Sequence, residues 1–302
     1  MEVEMTKQRR SRRNVRHTGL LVLATLTLVL ITGIVFLISR PDLLYKIQSI
    51  FIRSDNAINW KSYKNGMELV SYDPSAEPDW KEDQSLLLIN RDHPLPDGFE
   101  PDLAEYRDST VYMNRACLDA YGQLSDAVSR ETGDTLYISS LYRTYEEQAE
   151  IHKEDPVYSL PPGMTEHQTG LAIDVYVAQF AGLNFIECPA GQFVNSNCSE
   201  YGFIIRYAQG KEDITGIPFE PWHIRYVGLP HSVIMEMEWW TLEEYIDHLV
   251  PGEIYDLDHQ GVHYLVSRQK IGDPVRLPKG LKHVTYSPDN TGYIILTATI
   301  PD

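Results

Sequence analysis

The longest apolar run of the chain lies near its start, at residues 19–39. This segment, GLLVLATLTLVLITGIVFLIS, contains no charged residue, and roughly 20 apolar residues are enough to cross a bilayer as a helix. It is longer than the core of a secretory signal peptide and is not followed by a small-residue cleavage pattern. The pattern therefore predicts a single transmembrane helix.

The segment after this run is polar and has little periodicity. Residues 40–84 are rich in Asn, Ser, Asp and Pro, which is typical of a stalk or linker. An apolar strand is predicted in SLLLINRDHPLP, residues 85–96, ahead of a proline-marked turn. We therefore expect the folded body to begin at residue 85.

Periodic helices and strands then continue to residue 250. The segment 114–130 has apolar residues at helical spacing, and TLYISSLYR at 135–143 has the pattern of a strand. Thr144 is a candidate N-cap for the helix TYEEQAEIHKE that follows. The other elements predicted are a strand at 202–207 and helical segments at 231–249 around a break near Thr241. Residues 85–250 are therefore predicted to form the main domain.

After Pro251 the pattern changes to short alternating strands. Stretches such as VHYLV and GYIILTATI are separated by the turn sequences HQG, PKG and PDN, which favour hairpins. We expect residues 251–302 to form a small β-rich region that follows the main domain.

Charge is distributed unevenly along the 302 residues. The formal net charge is -17, yet residues 1–18 carry six Lys/Arg against two acidic residues. Because a basic flank of an apolar helix stays in the cytoplasm, the N-terminus is predicted to be cytoplasmic and everything after the span extracellular. The acidic body argues against nucleic-acid binding, which requires a basic surface.

The three cysteines are compatible with this placement. Cys188 and Cys198 lie in a stretch with the composition of a loop and are able to pair in an oxidising compartment. The sequence does not show whether their sulfurs meet. Cys117 lies in a helical pattern and is expected to be a small buried residue.

The stretch MTEHQTGLAIDV, residues 164–175, carries the first chemical signal. Asp174 lies within an apolar run that has the pattern of a buried strand, and His167 precedes it by seven positions. An ionised carboxylate is costly to bury unless it is paired, hydrogen-bonded or bound to a metal. This stretch alone leaves a buried hydrogen-bonded pair and a metal site as equal alternatives.

A second stretch, FEPWHIRY, favours the metal site. Glu220 and His223 are three positions apart, which in a straight strand places them on opposite faces, but the proline between them favours a bend. A catalytic zinc site uses three nitrogen or oxygen ligands and leaves one position open for water. His167, Asp174 and His223 supply such a ligand set. Glu220 remains as the base that takes a proton from the water.

Together these stretches resemble the VanY-like D-alanyl-D-alanine carboxypeptidases, zinc peptidases of the D,D-/L,D-carboxypeptidase group. The shared pattern is TEH-x-x-G-x-A-x-D followed by E-P-W-H. The likeness continues through LLLIN at 86–90, YRTYEEQ at 142–148 and the long run at 201–235. It covers residues 85–248 and is more specific than either motif alone.

The resemblance implies roles for five residues around a bound Zn²⁺. His167, Asp174 and His223 match the zinc ligands of the family. Glu220 matches its catalytic carboxylate, and Arg143 matches the family arginine near the scissile bond. A fixed guanidinium there either stabilises a developing oxyanion or holds the substrate carboxylate, and the sequence does not separate the two roles.

Gln148, Thr165 and Trp222 are weaker candidates for contact with the substrate. Gln148 and Thr165 lie where the family places substrate-contacting polar groups, but an exposed helix residue and a turn residue are equally weighted alternatives. Trp222 either stacks on the substrate or forms a packed wall of the site. The chain departs from the family pattern at Leu141, where the family has glycine, and at Thr165, where serine is commoner.

The resemblance also implies a fold and an activity. The expected fold class is α+β: an antiparallel sheet with flanking helices around a zinc cleft, preceded by one transmembrane helix and followed by the β-rich region. The expected protein is a membrane-anchored zinc D,D-carboxypeptidase that removes the terminal D-alanine from peptidoglycan stem pentapeptides or their precursors. Such trimming removes the D-Ala-D-Ala target of glycopeptide antibiotics.

Three other functions stay open at this point. An L,D-carboxypeptidase acting on tetrapeptide stems and a D,D-dipeptidase share the same site chemistry, and an inactive wall-binding module keeps the fold without the chemistry. A serine-type penicillin-binding enzyme is disfavoured. SRQK occurs at 267–270 and SDN at 54–56, but their order is reversed and KTG is absent from the sequence.

Overall fold

The computed structural model describes residues 23–36, 61–62, 68–107, 109–156 and 159–300. Residues 23–36 are helical and lie within the predicted span at 19–39, whose remaining residues fall outside the described ranges. Within those ranges, no helix is both long and apolar enough to cross a membrane. Residues 1–51 and 52–302 form separate compact units, and the second unit contains all the elements that follow.

The second unit is a mixed α/β structure. Its described strands, in chain order, are β1 (Lys61–Ser62), β2 (Leu69–Tyr72), β3 (Lys81–Glu82), β4 (Leu103–Glu105), β5 (Tyr112–Asn114), β6 (Tyr137–Ser140), β7 (Ala172–Tyr176), β8 (Phe203–Ile205), β9 (His223–Tyr226), β10 (Ile254–His259), β11 (Val262–Lys270), β12 (Val275–Pro278), β13 (Lys282–Pro288) and β14 (Tyr293–Ile300). Its described α-helices are α1 (Leu118–Thr132), α2 (Tyr145–Glu154), α3 (Pro189–Asn197), α4 (Glu212–Thr215), α5 (His231–Glu238) and α6 (Leu242–His248).

The predicted antiparallel sheet of the main domain is confirmed. Four strands lie in the order β6-β7-β9-β8, and every neighbouring pair is antiparallel. Asp174 of β7 pairs with His223 of β9 on one side and with Ser140 of β6 on the other. Since residues directly opposite each other in a sheet share a face, this register brings two of the predicted ligands together.

Helix α1 covers the apolar side of this sheet. Leu124 and Val128 of the helix pack in one buried cluster with Ile173 of β7 and Ile224 of β9. These strand residues alternate in sequence with Asp174 and His223, so the face opposite the ligands is the one that the helix buries. The helix ends at Gly133, which has φ of +78° and closes the last turn.

The predicted helix boundaries in this part also agree with the structure. Thr144 caps α2 through a reciprocal pair of hydrogen bonds with Glu147, a capping box. The break near Thr241 separates α5 from α6, and Thr241 caps α6 in the same way with Glu244. Local hydrogen bonding therefore sets where both helices start.

The expected strand at 85–90 is not formed. These residues are a buried turn, with Leu87 N donating to Gln84 O and Leu86 N donating to Ser287 Oγ. The guanidinium of Arg225 donates to the carbonyls of Ser85 and Leu87 from inside the protein. The backbone is therefore satisfied without a neighbouring strand, which is why an apolar run here does not require a sheet.

Part of the predicted stalk belongs to the C-terminal β-rich region. β2 pairs with β12, and β3 pairs with β13 at the edge of a six-stranded sheet with the order β1-β10-β11-β14-β13-β3. Tyr72 and Trp80 of this segment pack against a cluster that includes Leu277 and Leu296. Aromatic burial, rather than local periodicity, brings this segment into the fold.

The β-rich region shares its core with the main domain. Ile295 of β14 and Val266 of β11 pack in one cluster with Leu86 and with Ile234 and Ile246 of α5 and α6. Leu296, the next residue of β14, faces the opposite cluster. Both faces of the six-stranded sheet are thus covered, one by helices and one by the β2–β12 pair.

The cysteines are free thiols in the structure. Cys117, Cys188 and Cys198 are all buried and unbonded to one another, so the disulfide considered for Cys188 and Cys198 is not formed. The Cys188 sulfur instead accepts from Gly191 N, at 3.3 Å, and caps the start of α3. Cys117 is fully buried, as expected.

We predict that Ile295→Ala destabilises β7 and β9 as well as β14, because Ile295 packs in one cluster with Ile204 of β8, the strand that pairs with β9. The side chain is 1% exposed, and removing a buried isoleucine typically costs about 2–5 kcal/mol of unfolding free energy. Hydrogen exchange read by mass spectrometry should show equal losses of protection in β7, β9 and β14.

Ile271→Ala is the matched control, because Ile271 follows β11 and is 54% exposed. It should leave the exchange of all three strands unchanged. Loss of protection in β14 with β7 and β9 unaffected would show that the β-rich region unfolds independently.

Candidate metal centre

Three predicted ligands converge at one end of the β7–β9 pair. Asp174 lies in the middle of β7, His223 begins β9, and His167 comes from the 3₁₀ turn Glu166–Thr169 that precedes β7. One ligand atom from each residue lies within 4.8 Å of the others. His167 Nε2 is 3.3 Å from Asp174 Oδ2, and His223 Nδ1 is 2.9 Å from Asp174 Oδ1.

Gly170 allows the chain to turn tightly between His167 and β7. Its φ is +70°, and a Cβ atom there would lie 2.7 Å from Leu103 Cδ2 and 2.8 Å from Asn114 N. Both the backbone conformation and the space therefore require glycine. Gly170 therefore lets the backbone pass close to Leu103 and Asn114.

The ring orientation of His167 is fixed by a hydrogen bond from its Nδ1 to the backbone. Its Nδ1 lies 2.8 Å from the carbonyl oxygen of Leu141; because a carbonyl only accepts, Nδ1 carries the proton. Nε2 is then left with its lone pair facing Asp174. Burial lowers the pKa of His167 despite the attraction of Asp174, so the ring is neutral and ready to bind a metal.

His223 lies among carboxylates on several sides. Its Nδ1 is 3.7 Å from Glu220 Oε2 as well as close to Asp174, and its Nε2 is 3.9 Å from Glu166 Oε2. Burial alone would lower the pKa of His223, but its interactions with Asp174, Glu166 and Glu220 outweigh burial and raise the pKa to about 9. Burial would raise the pKa of Asp174, but His167 and His223 outweigh it and hold that pKa well below its usual range.

This donor set fits a catalytic zinc ion. Two imidazole nitrogens and one carboxylate oxygen are the kind of three-residue set that catalytic zinc uses. Asp174 Oδ1 is buried, and a second ligand atom, His223 Nδ1, lies 2.9 Å from it. Two such atoms are favourable this close together in a buried site only with a proton or a cation between them, and a cation at the convergence point would satisfy both.

Glu220 lies beside the point where the three ligands converge, in the segment just before β9. It precedes β9, and its N–H donates to Tyr207 O while its carbonyl accepts from His223 N. The carboxylate is 24% exposed, and burial together with the nearby Asp174 raises the pKa of Glu220 despite His223 and Arg143. A carboxylate with a raised pKa next to a metal position is suited to accept and return a proton.

Arg143 is held rigidly on the other side of Asp174. Its Nε and Nη2 donate to Ser140 Oγ, and its Nη1 donates to Gln148 Oε1 at 3.1 Å. Its Nη2 lies 3.5 Å from Asp174 Oδ2. Gln148 is itself anchored, because its amide donates to Leu160 O. The guanidinium therefore has a fixed position beside the metal ligands.

The predicted site residues all border one cavity of about 270 Å³. Thr165 caps the 3₁₀ turn by accepting from His167 N at 3.4 Å, and Trp222 also packs against the buried cluster of the main domain. The lining residues are Arg143, Gln148, Ile151, Asp155, Ser159, Leu160, Thr165, His167, Asp174, Tyr207, Ile217, Glu220, Trp222 and His223.

Behind the centre lies a group of buried charges that the sequence patterns did not single out as site residues. Glu166, Arg206 and Arg225 are each at most 1% exposed and lie next to the ligands in the fold. Arg206 and Arg225 are embedded in the apolar strand patterns FIIRY and HIRY. That is the same signal, a charge inside an apolar run, that singled out Asp174.

The family model VanY, described as D-alanyl-D-alanine carboxypeptidase, matches residues 110–229. That range contains every residue of the centre, including Arg143 and Glu220. It also contains the buried Glu166, Arg206 and Arg225.

Two relatives are similar over most of their own length. The D-alanyl-D-alanine carboxypeptidase of Enterococcus faecium is 31% identical over 230 residues, covering 70% of this chain and 74% of the relative. The bifunctional D-Ala-D-Ala dipeptidase and D-Ala-D-Ala carboxypeptidase VanXYC of Enterococcus gallinarum is 38% identical over 187 residues, covering 55% of this chain and 95% of the relative.

A solved structure supports the fold. The vancomycin resistance D,D-dipeptidase VanXYg, in complex with a D-Ala-D-Ala phosphinate analogue, is similar with a TM-score of 0.62 and 28% sequence identity. The similarity covers 72% of this chain and 94% of that chain. Most of the described body is therefore shared with that structure.

We predict that His223 in the metal-free protein titrates near pH 9, well above the usual range of a histidine, because carboxylates surround its ring. Nitrogen chemical shifts of labelled histidine rings, followed from pH 6 to 10 and assigned with His223→Gln, would measure this. His167 should remain neutral at pH 7. A midpoint for His223 near pH 6.5 would contradict the prediction.

The raised pKa of His223 also makes the stability of the metal-free protein depend on pH. Because the folded pKa is raised, protonated His223 contributes stability that is fully present below its ordinary pKa of about 6.5. That contribution is lost as the pH rises to about 9. The metal-free protein should therefore lose this increment of thermal stability between those two pH values, and the His223→Gln variant should not.

Proposed function

The chain belongs to the VanY family of D-alanyl-D-alanine carboxypeptidases and is a zinc-dependent hydrolase, and we propose that it removes the terminal D-alanine from peptidoglycan stem pentapeptides. One observation carries the proposal. Two histidines and an aspartate converge beside Glu220 at the wall of an open cavity. The ligand set and the base are thus placed where a peptide end can reach both.

The cavity suits a short peptide end with small side chains. Its volume of about 270 Å³ is modest, and Ile151 and Ile217 offer apolar contacts for methyl groups while Arg143 and Gln148 offer donors. A C-terminal dipeptide of alanine combines two methyl groups, one amide and one carboxylate. The lining therefore complements D-Ala-D-Ala in both polarity and size.

His167, Asp174 and His223 would hold the zinc ion. When bound, zinc supplies Lewis acidity, which lowers the pKa of a water molecule and polarises a peptide carbonyl. Glu220 accepts the proton that the attacking water loses and delivers it to the departing amine of D-alanine. Arg143 places a fixed positive charge beside the carbonyl and stabilises the negative charge that develops on its oxygen.

A second candidate activity is hydrolysis of the free dipeptide D-Ala-D-Ala. It is favoured by one relative, because VanXYC is described as both dipeptidase and carboxypeptidase and is 38% identical over 95% of its length. The two activities share the same scissile bond and differ in what precedes it. An extracellular domain has access to wall peptides rather than to a cytoplasmic dipeptide pool, so we rank the carboxypeptidase activity first.

We also propose that the protein is anchored in the cell membrane by one helix, with its N-terminus in the cytoplasm and its catalytic body outside. The proposal is supported by the uncharged run at 19–39 and the basic residues before it. Residues 23–36 are helical and exposed, and large apolar side chains are prominent among them. A helix whose apolar side chains are exposed within the part of the chain that the structure describes is suited to a lipid environment.

Trimming of stem pentapeptides would affect antibiotic action. The terminal D-Ala-D-Ala unit is what glycopeptides recognise, so an extracellular enzyme that removes the last D-alanine would lower the amount of target. A role in glycopeptide resistance follows as part of the proposal.

We predict that the full chain in detergent releases D-alanine from a muramyl pentapeptide, that a chelator stops the release and that added zinc restores it. Glu220→Gln should lower kcat by about 10²–10⁴-fold, because proton transfer is lost. Arg143→Lys should lower kcat by about 10²–10³-fold, because a flexible ammonium replaces the fixed guanidinium. Metal analysis should find zinc in both variants, since neither residue is a ligand.

A penicillin added in parallel should have no effect, which separates this reaction from a serine enzyme. Tetrapeptide and free D-Ala-D-Ala are the comparison substrates. Release from the tetrapeptide alone would assign an L,D-carboxypeptidase, and release from the dipeptide alone would assign a dipeptidase. Zinc binding without release from any of the three substrates would contradict an enzymatic function.

We predict that the double variant Leu28→Lys/Ile31→Lys leaves the membrane fraction, because each lysine at the centre of a span costs about 2.5–3.5 kcal/mol of insertion free energy. Cell fractionation and protease treatment of spheroplasts would measure this. Leu183→Lys is the matched control, since Leu183 is an exposed apolar residue of the body. A wild-type chain in the soluble fraction would overturn the anchor.

A further inference from the structure

We infer that Glu166 is a positioning residue for the metal centre: its carboxylate, held by Arg206 and Arg225, orients the ring of His223 so that Nδ1 faces the metal position. The inference rests on the proposed function in that His223 is taken as a metal ligand. It concerns a residue that does not line the cavity. Glu166 is fully buried, so it has no contact with substrate and acts through His223.

Two arginines determine where the Glu166 carboxylate points. Arg206 Nε lies 2.7 Å and Arg225 Nη1 lies 2.9 Å from the same oxygen, Oε1. Arg206 is held in turn by Glu243, whose two oxygens lie 2.6 Å and 2.9 Å from its Nη2 and Nη1. The two carboxylates and two guanidinium groups therefore form a buried cluster in which the formal charges cancel.

The second carboxylate oxygen of Glu166 is directed at His223. Oε2 lies 3.9 Å from His223 Nε2, and neither atom has a hydrogen-bond partner among the described residues, although both are buried. Buried polar atoms nearly always find a partner, and a displacement of less than an ångström would turn this ion-pair distance into a hydrogen bond. The geometry assigns the Nε2 proton of His223 to Glu166.

When a metal displaces the other ring proton, this assignment leaves the lone pair of His223 Nδ1 on the side of Asp174 and the cavity. Metal-binding histidines generally donate their other N–H to a carboxylate or carbonyl, which fixes the ring and makes it a stronger ligand. The two histidines of this centre use different groups for the purpose. His167 donates to the neutral carbonyl of Leu141, at 2.8 Å, whereas His223 faces an ionised carboxylate.

The cluster is better explained by positioning than by stability. Buried ion pairs lose so much solvation that replacing them with apolar residues is often neutral or stabilising. Here the Glu166 carboxylate is instead paired with two guanidinium groups, which lie 2.7 Å and 2.9 Å from one of its oxygens. The arrangement therefore holds a charge-paired carboxylate behind one ligand histidine.

The test uses the full chain in detergent and two metals alone, without substrate. Zinc affinity is measured by competition with a chromogenic chelator, and the visible absorption of the cobalt-substituted protein reports the ligand geometry. Glu166→Gln keeps the shape but removes the charge, so we expect zinc affinity to fall by about 10–100-fold and the cobalt bands to shift.

Glu243→Gln is the matched control, because it removes a carboxylate from the same arginine without facing His223. It should lower the thermal stability while leaving zinc affinity within about twofold and the cobalt spectrum unchanged. If Glu166→Gln does not fold, Glu166→Asp keeps the charge on the arginines and withdraws it from His223, and it should show the same loss of zinc affinity.

Unchanged zinc affinity in the folded Glu166 variant would overturn the inference. Equal losses in the Glu166 and Glu243 variants would overturn it as well, since they would indicate general loosening of the cluster. Because neither readout depends on turnover, absence of D-alanine release by the wild-type chain would refute the proposed function without touching this result.

Discussion

The antiparallel pairing of β7 with β9 sets Asp174 directly opposite His223, and the rest of the centre depends on that register. A shift of one residue would turn Asp174 towards the apolar face that α1 covers, because strand side chains alternate between faces. The register is protected by Ile173 and Ile224, which pair with each other one step along and are fully buried. The hydrophobic core thus specifies a polar site on the opposite face.

Once that register is set, the electrostatics of the centre follow from an excess of carboxylates. Asp174, Glu166 and Glu220 surround His223, and such a group is costly to bury without cations. Two arginines compensate Glu166 from behind, and Arg143 compensates Asp174 from the cavity side. Arg206 also pairs with Glu243, so four carboxylates stand against three arginines. Asp174 and Glu220 border the convergence point of the ligands, where a divalent cation would supply positive charge.

The sequence predicts the parts of this arrangement that are local. Helix caps, strand periods and the charge of Asp174 inside an apolar run are all visible within a few residues. Arg206 carries the same signal, but its partner Glu166 lies 40 residues away, and an arginine in a strand pattern is also able to reach solvent along its long side chain. The apolar run at 85–90 looked like a strand because nothing local reveals that Arg225 satisfies its carbonyls.

The same long-range contacts link the β-rich region to the charge cluster behind the metal centre. Helix α6 packs through Ile246 against β11 and β14, and it supplies Glu243, which holds Arg206 in place against Glu166. The path from the six-stranded sheet to the ring of His223 therefore consists of packed apolar residues followed by paired charges. In the sequence the β-rich region looks like an appendage. In the fold it packs against α6, the helix that supplies Glu243 to the charge cluster.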